Sequence, residues 1–504
     1  MLEKVIYRSD MLGCALCLDA PCTKACGKAD CAALLRAIWF GDERAAAARL
    51  GEENPCANCA APCESACVRA GKVPVRELVT RLYGEVKPQL EIAPPENEDL
   101  LKTDLCGVPL ENPFLLSSSV VASTYDMCAR AFEAGWAGAA FKTICTLDIH
   151  EASPRFSAIT GDNGSIIGFK NIEQLSDHSV AENMKTFREL KKNYPTKFIL
   201  ASIMGQNEKE WEELSRACEE NGADAIELNF SCPNMAEGGL GSDIGQVPEL
   251  VERFTAAAKR GTRIPVLAKL TPNVARMSPA AEAAKCGGAD GLAAINTIKS
   301  ITGVNPHTYV AAPAVHGMSA VGGYSGNAVK PIALRFITEL AQNPALAGMH
   351  LSAMGGVEDW TDALEFILLG AGSVQVTTAV MQYGYRIIDD LKAGLNYYLA
   401  EKGFRGVKEA RGLALGSVSE TTDVLERDTV VYPRFRRERC VGCGRCVISC
   451  ADGGHQALRL NEERKPILDA KKCVGCHLCV LVCPERAIVS GRKRVEKPDS
   501  PREA

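Results

Sequence analysis

The stretch Asp224–Ser231 reads DAIELNFS, an apolar run that ends in polar residues, and its pattern recurs through the middle of the chain. A segment with helical periodicity follows at Pro248–Lys259, and a second apolar run, PVLAKL, occupies Pro265–Leu270. A strand, a helix and a further strand in this order predict a βαβ unit with parallel strands. The fold class predicted from this unit is α/β.

Eight apolar runs of strand length alternate in this way with helical segments such as Glu208–Glu220 and Trp360–Leu369. Eight consecutive βα units predict a (β/α)8 TIM barrel, and an open, doubly wound sheet of similar composition is the alternative. The eight runs are Pro113–Ser119, Gly138–Thr143, Lys197–Met204, Asp224–Ser231, Pro265–Leu270, Gly291–Thr297, His350–Met354 and Ser373–Thr378.

Polar residues stand at the ends of these predicted strands, where the active site of a TIM barrel is built. Lys142 closes the second run, Lys269 closes the fifth, and an ammonium left unpaired there would be costly. Glycines after the seventh run and threonines after the eighth suit a phosphate held by backbone N–H groups. We therefore expect a phosphate-bearing cofactor whose anionic edge also pairs with the two lysines.

Cysteines divide the chain into three parts. Nine of the 23 cysteines precede residue 70, eight follow residue 439, and six lie between. In a reducing compartment such density favours metal ligands over disulfides. We predict an N-terminal helical iron–sulfur domain at 1–95, the barrel at 100–412 and a ferredoxin-like domain at 430–492, after which the tail beyond Gly491 reads as disordered.

Composition narrows the function classes. The net charge of −5 leaves no basic excess for nucleic acid. No apolar run reaches the ~20 residues of a membrane span, and Met1–Asp10 lacks the apolar centre of a signal peptide. These features favour a cytoplasmic protein with no membrane or nucleic-acid partner.

The last eight cysteines form two runs with the spacing C-x2-C-x2-C-x3-C, the spacing of two-cluster ferredoxins. In those proteins three cysteines of one run and the last of the other hold each [4Fe–4S] cluster. Two zinc sites are the alternative, but they leave the third and fourth cysteines of each run without a role. The predicted sets are Cys440, Cys443, Cys446 and Cys483, and Cys473, Cys476, Cys479 and Cys450.

The N-terminal cysteines have different spacings and are separated by a helical stretch, Ala32–Leu50. Eight thiols could hold two further clusters, and a zinc-stabilised helical module is the alternative. These cysteines are Cys14, Cys17, Cys22 and Cys26, followed by Cys56, Cys59, Cys63 and Cys67.

Cys232 lies at the end of the fourth predicted strand. A thiol keeps its proton at neutral pH and can release it to a developing carbanion, so a residue at this place could be a general acid. A buried, inert cysteine is the commoner case, and the residue alone does not separate the two interpretations.

From about Thr103 onward the sequence resembles the dihydropyrimidine dehydrogenase family, whose barrel is also similar to that of dihydroorotate dehydrogenase. The opening C-x2-C-x4-C-x3-C resembles the N-terminal cluster domain of the same family and of glutamate synthase small subunits, where one cluster takes an unusual Gln or Glu ligand. Glu77 and Cys56 are candidates for that ligand here, and Cys31 is a weaker one. The phrases that carry the barrel resemblance include Phe141–Thr143, Lys170–Glu173, Asn229–Pro233, Ala268–Asn273, Asn296–Thr297, Tyr324–Gly326 and Gly355–Gly356.

The resemblance implies FMN in the barrel and a pyrimidine base clamped beside it. Cys232 would protonate C5 of the base while hydride from FMN reaches C6. The implied FMN residues are Ser118, Lys142, Thr143, Lys269, Gly326, Met354, Gly355, Gly356, Thr377 and Thr378. The implied substrate residues are Asn171, Asn229, Ser231, Asn296 and Thr297.

The sequence departs from the single-chain members of the family because no strand followed by G-x-G-x-x-G and a helix occurs in it. We therefore expect electrons from a partner, either a subunit that binds FAD and NAD(P)H or a ferredoxin, and assembly with more than one subunit. Gly238–Gly241 reads as a mobile active-site loop. Alternatives are dihydroorotate dehydrogenase, a reductase of another conjugated cyclic amide or enone, and a non-catalytic electron relay.

Overall fold

The computed structural model describes residues 5–90, 95, 97–161, 165–235 and 240–496. The chain forms two compact units, which divide after Val418. No helix in these described ranges is both long and apolar enough to cross a membrane.

Eight parallel strands of the first unit close into a barrel, which confirms the predicted TIM barrel and excludes the open sheet. Each strand lies within one of the eight predicted runs. Around the barrel the order is β10-β13-β14-β3-β4-β7-β8-β9. The bounds are β3 Phe114–Leu116, β4 Gly138–Ala140, β7 Phe198–Ile203, β8 Ala225–Asn229, β9 Val266–Lys269, β10 Gly291–Ala294, β13 His350–Met354 and β14 Ser373–Val376.

The strand register brings the predicted site residues to one end of the barrel. Asn229 of β8 pairs with Lys269 of β9, and Met354 of β13 pairs with Gln375 of β14. The carboxyl ends of these strands therefore meet at one mouth. At the opposite end the hairpin β1 Thr103–Leu105 and β2 Val108–Leu110 buries Leu105 and Leu110 among the apolar residues inside the barrel.

Helices surround the barrel, and several of them begin at a side chain that caps their first turn. Ser179 and Glu182 form a reciprocal capping box at α7, and Asn207 caps α8. The helices of this layer are α6 Tyr125–Ala134, α7 Val180–Asn193, α8 Glu208–Glu220, α9 Pro248–Gly261, α10 Ser278–Cys286, α11 Lys330–Gln342, α12 Trp360–Leu368, α13 Thr378–Tyr383, α14 Ile387–Glu401 and α15 Val407–Ala410.

A four-stranded sheet, absent from the sequence-based prediction, contributes to the barrel mouth. Its order is β11-β12-β6-β5, and all three pairings are antiparallel. The strands are short and come from two distant parts of the chain. Their bounds are β5 Phe156–Thr160, β6 Ile166–Asn171, β11 Ile298–Ser300 and β12 Gly322–Ser325.

The N-terminal cysteines lie among five short helices that belong to the same compact unit as the barrel. The rings of Trp39 and Phe40 contact Tyr383 at the end of α13. Arg36 bonds the buried Asp390 of α14 at 2.7 Å. The domain division near residue 95 stays a prediction. The helices are α1 Pro21–Cys26, α2 Cys31–Trp39, α3 Glu43–Ala48, α4 Pro62–Ser65 and α5 Val75–Arg81.

The second unit is built from two antiparallel strand pairs and two helices. Gly491–Glu496 belongs to strand β18, so the expected disorder after Gly491 is wrong for these residues, whereas 497–504 lie outside the described residues. Pairing with β15 explains the order of this segment. The elements are β15 Thr429–Phe435, α16 Arg445–Gly453, β16 Leu458–Leu460, β17 Pro466–Leu468, α17 Leu478–Leu481 and β18 Ile488–Glu496.

Candidate active site and cysteine sites

A cavity at the barrel mouth gathers most of the residues singled out from the sequence. Every predicted FMN residue except Gly326 lines it, and so does every predicted substrate residue except Ser231. Cys232 also lines it and is only 7 % exposed. The strand-end prediction thus converges on one enclosed space.

Glycine is required at one end of this cavity. Gly355 and Gly356 have φ values of 124° and 79°, in the left-handed region. A Cβ on Gly356 would stand 2.8 Å from the backbone nitrogen of Lys330 and 2.9 Å from the carbonyl oxygen of Gly326. Gly326 therefore supports the turn from behind. With Thr377 and Thr378 alongside, this bare backbone fits a phosphate group.

Both lysines of the cavity have carboxylate partners within the protein, so the expectation that they await an anionic cofactor is incomplete. Lys269 Nζ lies 3.2 Å from Glu227 Oε1, and both side chains are buried. Lys142 Nζ lies 3.0 Å from Glu151 Oε1 and 3.9 Å from Glu173. The remaining N–H groups of each ammonium can still reach a ligand.

A chain of hydrogen bonds joins the predicted substrate residues to the predicted FMN residues. Asn296 Nδ2 donates to Ser231 Oγ at 2.9 Å, and Ser231 Oγ donates to Asn229 Oδ1 at 2.8 Å. Asn229 Nδ2 then donates to Thr143 Oγ1 at 2.8 Å. Ser231 is fully buried and hydrogen-bonds with both asparagines, so it can hold their orientation.

Cys232 is placed to hold a proton. Burial raises the pKa of its thiol to about 11, while the backbone N–H of Asn234 and the charge of Lys269 oppose that rise. The thiol is therefore protonated through neutral pH. This is the state that a general acid needs.

Sequence reasoning missed the acidic and amide partners of these groups. Glu227 accepts hydrogen bonds from Lys269 and from Gln375, both at 3.2 Å. A carboxylate in the middle of an apolar strand was a visible signal for this site. Glu151 and Asn234 lie in loops, where charge and polarity are ordinary, and no sequence signal distinguished them.

The C-terminal cysteines line two separate cavities in the second unit. Their membership is the one the ferredoxin spacing predicts, because Cys483 joins Cys440, Cys443 and Cys446, while Cys450 joins Cys473, Cys476 and Cys479. The backbone N–H groups of Ala457 and Ala487 donate to Cys450 Sγ and Cys483 Sγ, each at 3.2 Å. Such bonds stabilise thiolate ligands, so both residue sets fit an iron–sulfur cluster.

The N-terminal cysteines also fall into two groups. Cys14, Cys17, Cys22 and Cys67 line one cavity with Arg386. The second group consists of Cys26, Cys56, Cys59 and Cys63. Burial raises the pKa of Cys56 to about 11, with smaller contributions from the other three thiols.

Cys31 lies beside the thiols of Cys26 and Cys63 in the second group. Glu77 is exposed on α5. Of the three candidates for an extra ligand, Cys56 and Cys31 thus lie with the other thiols.

Comparison with known proteins agrees with this architecture. The dihydroorotate dehydrogenase family model matches residues 100–399, and a 4Fe-4S dicluster domain model matches residues 434–489. A solved structure of dihydroorotate dehydrogenase from Eimeria tenella, in complex with ferulenol, superposes with a TM-score of 0.52 at 17 % identity. It covers 63 % of this chain and 89 % of that one, and at this identity the likeness concerns the fold alone.

Relatives of known function are more similar. NAD-dependent dihydropyrimidine dehydrogenase subunit PreA of Escherichia coli K12 is 52 % identical over 72 % of this chain and 89 % of that protein. The chloroplastic dihydropyrimidine dehydrogenase (NADP(+)) of Arabidopsis thaliana is 37 % identical over 68 % and 84 %. The catalytic subunit of dihydroorotate dehydrogenase B (NAD(+)) of Pyrococcus abyssi is 37 % identical over 63 % and 99 %. The chain therefore belongs to the dihydroorotate dehydrogenase family of flavin-dependent oxidoreductases, and within it is related to the dihydropyrimidine dehydrogenase subunits.

Proposed function

We propose that this chain is a dihydropyrimidine dehydrogenase subunit that reduces the 5,6 double bond of uracil or thymine, in a reversible reaction. The observation that carries the proposal is a hydrogen-bonded row of amides and hydroxyls at the cavity. Asn296, Asn229 and Thr143 line the cavity, and the buried Ser231 links the two asparagines. A pyrimidine base offers alternating carbonyl acceptors and N–H donors around its ring. Carboxamides match both kinds of group.

The surroundings of the cations in the cavity favour a neutral pyrimidine base as substrate over orotate, which carries a carboxylate. Among the described residues that line it, Lys142 and Lys269 are the cations, and each already has a carboxylate partner. A substrate carboxylate would meet Glu173 and Glu151 beside Lys142, and like charges this close are unfavourable. Dihydroorotate dehydrogenase activity is therefore the weaker alternative.

The roles of the residues follow from their places. Gly355, Gly356, Thr377 and Thr378 would hold the FMN phosphate, and Lys142 and Lys269 would lie at its ring. When bound, FMN supplies hydride chemistry to C6 of the base. Asn171, Asn229, Asn296 and Thr297 would orient the base, and Cys232 would deliver its proton to C5. The low exposure of Cys232 limits the access of bulk water to its thiol.

The cysteine groups imply an electron supply. The two C-terminal sets would hold [4Fe–4S] clusters, and we extend the proposal to two N-terminal clusters because eight thiols form two groups there. The E. coli and P. abyssi relatives are described as subunits of NAD-dependent enzymes. A separate subunit that binds FAD and NAD(P)H, or a ferredoxin, would thus feed electrons to this chain within an oligomer, in the reducing cytoplasm that keeps thiols available to iron.

An anaerobic titration tests the proposal. Iron-loaded, FMN-containing protein is reduced with dithionite and mixed with uracil, while the flavin absorbance is followed. We expect uracil to reoxidise the flavin, and Cys232→Ala to slow reoxidation by at least ~100-fold, as loss of a general acid predicts. Cys218→Ala is the matched control, because Cys218 is also buried but lies in α8. Reoxidation by orotate with no response to uracil would refute the substrate assignment.

A further inference from the structure

Asn234 lies two residues after the thiol assigned as proton donor, and it contacts both sides of the cavity. Its backbone N–H lies near the Cys232 thiol and opposes the rise in the pKa of that thiol. Its side-chain Nδ2 donates to Asn171 Oδ1 at 3.1 Å and to the backbone oxygen of Glu173 at 2.6 Å. One residue therefore connects the loop of the proton donor to the segment that carries a predicted substrate amide.

The direction of these hydrogen bonds is determined by the backbone. The carbonyl oxygen of Glu173 can only accept, so the end of the Asn234 side chain that faces it must be the NH2 group. The same NH2 group faces Asn171, so Asn171 presents its oxygen to Asn234. Rotating either amide by 180° would place two acceptors or two donors against each other.

These bonds fix the orientation of the Asn171 amide, so that its NH2 group is the end that can donate to a ligand. Its Oδ1 accepts from Asn234, while one N–H of its Nδ2 points to the carbonyl oxygen of Gly323 at a long 3.4 Å. The other N–H of Nδ2 is available to a carbonyl group in the cavity, which Asn171 lines. Without Asn234 the amide of Asn171 could turn and present an acceptor where a base carbonyl requires a donor.

The backbone just before Asn234 is anchored at Cys232. The backbone N–H of Ser242 donates to the carbonyl oxygen of Cys232 at 2.9 Å. A Cβ on Gly241 would stand 2.4 Å from that carbonyl oxygen, so this contact requires glycine at position 241. Gly238 and Gly239 of the predicted mobile loop lie outside the described residues. Asn234 follows the anchored Cys232 by two residues, and its side chain connects it to Asn171 and Glu173.

Resting on the proposed function, we infer that Asn234 is a positioning residue, which fixes the amide of Asn171 as a donor to a pyrimidine carbonyl and couples that orientation to the loop of Cys232. Asn234 acts on the substrate through Asn171. The class of ligand that benefits is a cyclic amide with a ring carbonyl facing Asn171. Ligands without such a carbonyl gain nothing from Asn234.

The experiment is a double-mutant cycle in the FMN- and iron-loaded full chain, with uracil binding measured from the change in the flavin spectrum. Asn234→Ala should raise the Kd for uracil about tenfold, the effect of losing one oriented hydrogen bond to a buried group. In an Asn171→Ala background the same change should raise the Kd less than twofold, because residues that act through one another are not additive. Asn234→Asp, of equal size but unable to donate, should raise the Kd at least as much as Asn234→Ala.

Asn193→Ala is the matched control, because Asn193 bonds Tyr125 at the exposed end of α7. Thermal unfolding and flavin content establish that each variant is folded. Equal rises of Kd in both backgrounds would mean that Asn234 acts independently of Asn171, and would overturn the inference, as would a Kd within twofold of wild type in Asn234→Asp. A wild-type flavin spectrum that does not respond to uracil would instead refute the proposed function.

Discussion

Removing the charge of Glu227 should strongly destabilise the barrel, because Glu227 is buried and pairs with the buried Lys269. Glu227 is fully buried, Lys269 is 2 % exposed, and their charged atoms are 3.2 Å apart. At an effective dielectric constant of about 20, unit charges at this distance attract by about 5 kcal/mol. Removing one partner of a buried ion pair costs about 3–5 kcal/mol, because the charge of the other partner stays desolvated. We expect Glu227→Gln to lower the free energy of unfolding by that amount.

The assay is urea unfolding of the flavin-free chain, followed by tryptophan fluorescence. Flavin is left out because it would offer Lys269 a new partner and reduce the loss. Glu213→Gln is the control: its pair with Lys209 is exposed, so the loss should stay below about 1 kcal/mol. Glu227→Gln with Lys269→Met should recover most of the stability, because no unpaired charge remains. A loss below about 1 kcal/mol for Glu227→Gln alone would refute this account of the pair.

Three further predictions concern the thiols and the N-terminal helices. Burial raises the pKa of Cys232 to about 11, so its thiol stays protonated between pH 7 and 9. The rate of uracil reduction should therefore not change over this range through ionisation of the thiol. The reverse oxidation needs the thiolate and should rise about tenfold per pH unit, and steady-state rates in both directions check this. Cys483→Ala and Cys440→Ala should each abolish the same cluster signal in electron paramagnetic resonance, while Cys450→Ala abolishes the other; loss of one signal in all three variants would contradict the assigned sets. Arg36→Met should lower the free energy of unfolding by about 3 kcal/mol at pH 7.5 by leaving the Asp390 carboxylate unpaired. Burial raises the pKa of Asp390 to about 6, so the carboxyl is protonated at pH 5 and the loss should shrink there, as unfolding at the two pH values can establish.

The barrel strands could be predicted because each is local and apolar and is followed by its own helix. The mouth sheet could not, because β6 pairs with β12, whose residues lie about 150 positions later, so neither strand has a partner nearby in the sequence. Short strands of this kind depend on tertiary contacts more than on local pattern. The tail after Gly491 was misjudged for the same reason, since its order comes from pairing with β15.

The candidate site was predicted where the barrel alone fixes position. Lys142, Asn229 and Lys269 stand at the carboxyl ends of strands and therefore meet at the mouth. The partners that set the charge and orientation of site residues lie in loops, as Glu151 does for Lys142 and Asn234 does for Asn171. Sequence spacing says nothing of such pairings. The substrate role of Ser231 stays a prediction, because strand position alone does not tell whether its side chain faces the cavity.

Arg386 contacts both the N-terminal cysteine segment and the barrel. It follows α13, lines the cavity of Cys14 and Cys17, and donates to the carbonyl oxygens of Leu16 at 2.6 Å and Tyr383 at 3.1 Å. The other end of α13 begins at Thr378, in the active-site cavity. The cysteine-rich segment is therefore not an independent module that could be moved to another protein unchanged. Grafted onto another protein, it would leave this cavity open on one side and expose Trp39 and Phe40, and any redesign of α13 for a different cofactor would also alter the wall of the cysteine cavity.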